Sequence, residues 1–136
     1  MNSFVRLGFL PSATDFALLV LRVWLGFALF LRHGWEKIHE FGAMSAHFPN
    51  PLHIGSVPSL AFALLSDGIC SILVMIGFAT RWATLIIMIN TGVAFVLVHK
   101  MAFFGPHQGE LPWIYFGWAF TLFLAGPGRY SFDGRS

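Results

Sequence analysis

The charges in this chain are confined to short gaps between long uncharged stretches. Trp82 to Val98 contains no Asp, Glu, Lys or Arg, and neither does Leu111 to Ala125. Phe16 to Leu31 contains only Arg22, and Val57 to Phe78 only Asp67. A bilayer core asks for about 20 apolar residues per helix. The second stretch meets that length alone, and the others reach it by taking in Asp15, Arg32, Lys100 and the glycines around Pro127. Backbone groups in lipid must be satisfied within the segment, and nothing here alternates with the period of two of a barrel strand. The expected fold is therefore an all-α membrane protein, a four-transmembrane up-down helix bundle forming a single integral domain over 1–136. Its helices are placed at about 15–38, 57–78, 82–103 and 111–126, with a loop at 39–56.

Composition excludes several classes. The 136 residues are 57% hydrophobic and only 10% charged, where soluble chains carry about 25% charged residues. No basic run exists to grip phosphate, so nucleic acid is not an expected partner. The lone Cys70 cannot form an internal disulfide, and the absence of C-x-x-C and C-x-x-C-H excludes dithiol relay chemistry and c-type haem. Cys70 reads as a packing residue, and Gly26, Gly68, Gly77, Gly92 and Gly117 as points of close helix approach.

Helix punctuation marks the span ends. Ser12-x-x-Asp15 reads as a cap before the first span, Pro58 and Pro112 fall in first turns, and Gly126-Pro127-Gly128 is a stop. Trp35, Trp82, Trp113 and Tyr130 sit at span ends as an aromatic belt. The N-terminus lacks a cleavage site and reads as uncleaved, with Phe4, Val5, Leu7, Phe9 and Leu10 around Arg6 lying in the interface. Four spans put both termini on one side. That side carries Arg6, Arg81, Arg129 and Arg135 against Arg32, Lys37 and Lys100 opposite, which favours cytoplasmic termini.

All six histidines fall on the opposite side: His33, His39, His47 and His53 after the first span, His99 and His107 after the third. Arg22, Gly26, Leu29, His33, Glu36, Lys37 and Glu40 share one helical stripe, leading from a buried cation to an outer cluster. Arg22 and Asp67 lie about 12 and 16 Å deep, with Asn90 at about 12 Å. An unpaired charge there costs about 2.5–3.5 kcal/mol or more. An Arg22–Asp67 ion pair is therefore expected, with Asn90 completing a buried polar layer.

The first and third spans both end in G-x-A-x-x-L-x-H, from Gly26 to His33 and from Gly92 to His99, as in a duplicated helical hairpin. His33 and His99 are then equivalent residues at one outer level. Two such histidines can hydrogen-bond a quinone carbonyl among aromatic rings such as Trp35 and Trp113, with Glu36 and Lys37 tuning them. The same pair could hold a b-type haem or contribute to a metal site. No H-x-x-x-H or E-x-x-H pattern marks a metal site, so no metal ligands are named and quinone ranks ahead.

These motifs together resemble the DoxX family. Leu21-Arg22-Val23 through His33-Gly34-Trp35-Glu36-Lys37 is similar to its first helix, and Gly77-Phe78-Ala79-Thr80-Arg81 to its second turn. Gly126-Pro127-Gly128-Arg129-Tyr130-Ser131-Phe132-Asp133 is similar to its tail, with Phe132 in place of the usual Leu. Asp67 takes the place of an acidic residue that is often Glu. The resemblance implies a four-helix bacterial inner-membrane protein of redox or sulfur metabolism. Some relatives are subunits of a thiosulfate:quinone oxidoreductase, and others act beside a sulfurtransferase and a superoxide dismutase. Three functions follow as expectations. The first is a subunit of a quinone-linked membrane oxidoreductase, with His33, Glu36, Lys37 and His99 as catalytic candidates and partner subunits or a homo-oligomer completing it. The second is a non-catalytic anchor or assembly factor that docks a redox partner on the first loop. The third is a small-molecule carrier with Arg22, Asp67 and Asn90 lining its path.

Overall fold

The computed structural model describes residues 13–135. The Ser12 cap and the segment around Arg6 lie outside the described residues. Among the described residues five helices, short 3-10 turns aside, run in chain order: α1 (Thr14–His39), α2 (Phe41–Ser45), α3 (Ser56–Ile76), α4 (Thr80–Val98) and α5 (Glu110–Ala125). No strand occurs among the described residues. Three of the helices, α1, α3 and α4, are long and apolar enough to cross a membrane. The 16-residue α5 packs along α4, while α1 packs along the C-terminal half of α3.

The core is thin and built from one side of each helix. Leu29, Val74, Ile87, Ala119 and Leu122 are buried together with Cys70, and Trp118 donates across from α5 to the Leu21 carbonyl of α1 at 3.2 Å. The outward faces are also apolar: Trp24 and Trp82 are more than 70% exposed, and Phe27, Ile69, Ile89 and Leu124 are open as well. A surface of this kind is compatible with lipid and not with water. The chain is a helical membrane protein.

Two expectations about the helices are corrected. The third span does not continue to 103: α4 ends at Val98 because Lys100 and Met101 both adopt left-handed backbone, with φ of 53° and 55°, and the Met101 N–H turns back to the Phe95 carbonyl at 2.9 Å. The 39–56 loop is partly helical, since α2 lies within it. Of the glycines, Gly26 and Gly34 mark the close approach of α1 to α3: a Cβ at Gly34 would lie 2.6 Å from the Asp67 carbonyl oxygen. Gly117 meets nothing within 4 Å.

The main correction concerns Arg22. It is completely buried, but it does not pair with Asp67. Its guanidinium donates to the carbonyls of Val74 (3.1 Å) and Met75 (2.9 Å), and to that of Tyr130 in the tail. Val74 and Met75 lie in the last turn of α3, whose carbonyls have no partner within the helix and carry the negative end of its dipole. Side chains on a helix tilt toward its N-terminus. Arg22 therefore points toward the chain-terminal end of the bundle, whereas Asp67, on the antiparallel α3, points toward the loop end.

The tail completes this end. Asp133 accepts from the Ala79 and Thr80 N–H groups, both at 2.9 Å, and so caps the start of α4. The N–H groups of Phe132 and Asp133 donate to the Ile76 and Gly77 carbonyls at 3.2 and 2.8 Å, and Arg129 N–H donates to Asp15 at 2.9 Å. Gly77 has φ of 75°, and a Cβ there would collide with Ser131 and Arg22. Burial works to raise the Asp133 carboxyl. The two backbone N–H groups and the Arg22 charge outweigh it and hold the group below its ordinary value.

Candidate functional site

Three of the helices contain a π-helical turn: Phe30–Gly34 in α1, Leu65–Cys70 in α3 and Ala94–Val98 in α4. Such turns break the regular backbone ladder and are frequent at functional sites. In each, a donor from outside the regular ladder reaches one of its carbonyls. Lys37 Nζ donates to the His33 carbonyl at 3.2 Å, the Ser71 hydroxyl donates to the Asp67 and Gly68 carbonyls, and the Met101 N–H takes that of Phe95. The extra residue in α1 also rotates everything beyond it by about 100°. That rotation brings Gly34 onto the buried stripe, keeps Lys37 there, and turns Glu36 and Glu40 off it.

Lys37 and Asp67 consequently face each other. Lys37 tilts back into the bundle from α1, Asp67 tilts up from α3, and Nζ lies 2.8 Å from Oδ2, with both side chains less than 10% exposed. The other carboxylate oxygen accepts from Asn90 Nδ2 of α4 at 3.2 Å and from the Ser66 hydroxyl at 3.3 Å. Asp67 is thus bound by three neighbours, and the buried charge is balanced by Lys37, the partner that replaces Arg22. The cost of placing a carboxylate at this depth is offset by that pairing.

A cavity of about 170 Å³ lies beside the pair. His33, Lys37, Asp67, Asn90, His99 and Tyr115 supply its polar lining, and Phe48 and Leu111 form part of its apolar wall. The His33 ring meets the edge of Tyr115 at 6.0 Å between centroids. His99 is held from outside, with Nδ1 3.1 Å from the His107 carbonyl. The two histidines that the internal repeat placed at one level therefore line one cavity, and the π-helical turn ends just after His33 in α1 and just before His99 in α4. The matching π-helical turn in α3 has no counterpart in α5.

Other expected site residues are elsewhere. Glu36 turns outward to the exposed Arg32 at 3.5 Å. Trp35 is half exposed and packs on Phe30 and His39, so it does not line the cavity. Trp113 packs with Phe95 and Phe103, also away from it. Arg22 belongs to the tail end, and the buried polar layer expected of Arg22, Asp67 and Asn90 is instead Lys37, Asp67, Asn90 and Ser66. Tyr115, Thr91 and Phe48 were not legible as site residues: Tyr115 and Thr91 lie in apolar runs, and Phe48 in a proline-rich loop. Among the described residues, no three His, Cys, Asp or Glu side chains gather as they would to hold a metal ion.

The DoxX family model matches residues 17–100, which include Arg22, His33, Lys37, Asp67, Asn90 and His99 but neither α5 nor the tail. No curated protein and no solved structure matches the chain.

Proposed function

Since the chain belongs to the DoxX family of membrane proteins, we propose that it is a four-span subunit of a quinone-linked membrane oxidoreductase whose cavity receives the ring of a quinone. The observation that carries this reading is the cavity lined by His33 and His99 beside the buried Lys37–Asp67 pair. Quinone binding asks for hydrogen-bond donors aimed at ring oxygens within an apolar enclosure. Here His33, His99 and the Tyr115 hydroxyl offer donors, and Phe48 and Leu111 limit the entry of water. A bound quinone supplies two-electron, two-proton chemistry. In this reading the electrons enter from a partner subunit.

The residues present fit proton handling. Lys37 Nζ holds a proton against Asp67, and Asn90 and Ser66 fix the carboxylate so that the proton's position is defined. His33 and His99 line the same cavity as that pair, and His99 reaches the loop side at the His107 carbonyl, where a proton can be exchanged with solvent. Glu36 takes no part. The carrier reading loses its path, because Arg22 lies at the opposite end of the bundle. The anchor reading keeps an exposed loop surface at Leu52 and Ile54, but it gives no role to the polar cavity.

The site belongs in the bacterial inner membrane with the termini cytoplasmic. With Lys37 buried in an ion pair, the loop side keeps only Arg32 and Lys100 as flanking cations against Arg6, Arg81, Arg129 and Arg135. The test is purification in mild detergent, followed by an absorption spectrum and solvent extraction. Co-purifying quinone that is lost in His33→Ala and in His99→Ala supports the reading. A Soret band would make the ligand haem, and a colourless, quinone-free protein would remove the reading.

A further inference from the structure

Next to the polar cavity lies a larger one, about 530 Å³, between the start of α3, the second half of α4 and the 48–54 loop. Its size is that of a small-molecule site, and its lining differs sharply from that of its neighbour. Pro58 and Phe62 of α3 and Ile89, Val93 and Val98 of α4 face Leu52 of the loop, so almost everything it offers is hydrocarbon. Four residues line both spaces: Phe48, Asn90, Ala94 and His99. The two spaces therefore adjoin at these four residues, one of them largely polar and the other apolar. The loop that roofs the apolar part is fixed in place, because Asn50 accepts from the Gly55 N–H at 3.0 Å and from the Ser59 hydroxyl at 3.4 Å.

We propose that the apolar groove binds the isoprenoid tail of the quinone and is the route by which the ligand enters from the lipid, so that the site is specific for a tailed, membrane-borne quinone. This rests on the quinone reading of the polar cavity and adds its substrate class and direction of entry. From Val98 to Ile89 the groove follows α4 for about 14 Å, which takes it from the loop level well into the bilayer. A ligand with a polar ring at one end and hydrocarbon at the other fills both spaces at once, whereas a ring without a tail leaves the groove empty and gains none of its apolar burial. A phospholipid is a poor fit. Its phosphate needs an unpaired cation, and the cation at the cavity, Lys37, is already paired with Asp67 at 2.8 Å.

The test compares binding of two probes to the full-length protein in detergent: a quinone with a long isoprenoid tail and the same ring without one. Val93→Trp fills the groove without touching the polar cavity. Val96→Trp places the same bulk on a lipid-facing position three residues on and controls for effects on folding. Wild type and Val96→Trp should bind the tailed quinone at least about tenfold more tightly than the bare ring, and Val93→Trp should bring the two to equality with bare-ring affinity unchanged. Equal affinity for both probes in wild type would overturn the tail site, as would a tail preference that survives Val93→Trp. If neither probe binds wild type, the quinone reading itself fails, which is a separate result.

Discussion

The two ends of this bundle treat buried charge in opposite ways. At the chain-terminal end, Arg22 and Asp133 direct hydrogen bonds to backbone: carbonyls that end α3, N–H groups that begin α4, and the Tyr130 carbonyl of the tail. At the loop end, Lys37 and Asp67 bind chiefly each other, Asn90 and Ser66, and a cavity opens beside them. The first arrangement satisfies groups that every helix end leaves unpaired. The second keeps exchangeable protons next to a space that can be filled, and it requires irregular helices to do so. The tail motif is therefore a latch, and the proposed chemistry is assigned to the end where the helices are bulged.

The largest expected effect breaks the latch. Arg22→Ala removes three hydrogen bonds from a charged donor, each worth about 1.5–3 kcal/mol, and should sharply lower thermal stability and the yield of protein in the membrane. Asp67→Ala should not restore it. The two sites share no partner, so their effects should add to within about 0.5 kcal/mol. Rescue would mean that the two ends are one network after all.

Next comes the loop-end pair. Lys37→Ala strands a buried carboxylate and should cost about 3–5 kcal/mol. Lys37→Met combined with Asp67→Asn should recover most of this, as a double-mutant cycle followed by thermal unfolding would show. Independent, additive losses would dissolve the pair.

The smallest effect is at the cap. Asp133→Asn should lower stability by about 1 kcal/mol. The folded Asp133 carboxyl lies below its ordinary value, so its contribution is fully present above the ordinary carboxylate range and is lost as pH falls through the folded value. The melting temperature of wild type should therefore drop more steeply in acid than that of the variant. Identical acid slopes would show that the cap carries no charge-dependent stability.

The three long apolar helices α1, α3 and α4 were legible in the sequence because lipid imposes a length and forbids charge. The same scarcity singled out Arg22 and Asp67 as buried, but depth alone chose the wrong partner. Tilt of side chains toward each helix N-terminus sends Arg22 and Asp67 to opposite ends and sends Lys37 inward. Sequence spacing groups Lys37 with the outer histidines it would tune, and gives no sign that it pairs with Asp67. The π-helical turns left no mark, since one extra residue in an apolar run changes the phase and not the composition. That hidden rotation is why Glu36 was placed in the site and Gly34 was not. His33 and His99 were found through the repeat, while Tyr115 had no signal to distinguish it from the aromatic residues around it.

The most direct test of this division is the quinone content, per mole of purified protein, of wild type, His33→Ala and Asp133→Asn, each measured beside its melting temperature. Quinone retained by wild type and Asp133→Asn but lost from His33→Ala, whose stability stays near that of wild type, is the expected result. Quinone that falls in step with melting temperature across all three, or that is missing from wild type, would contradict it.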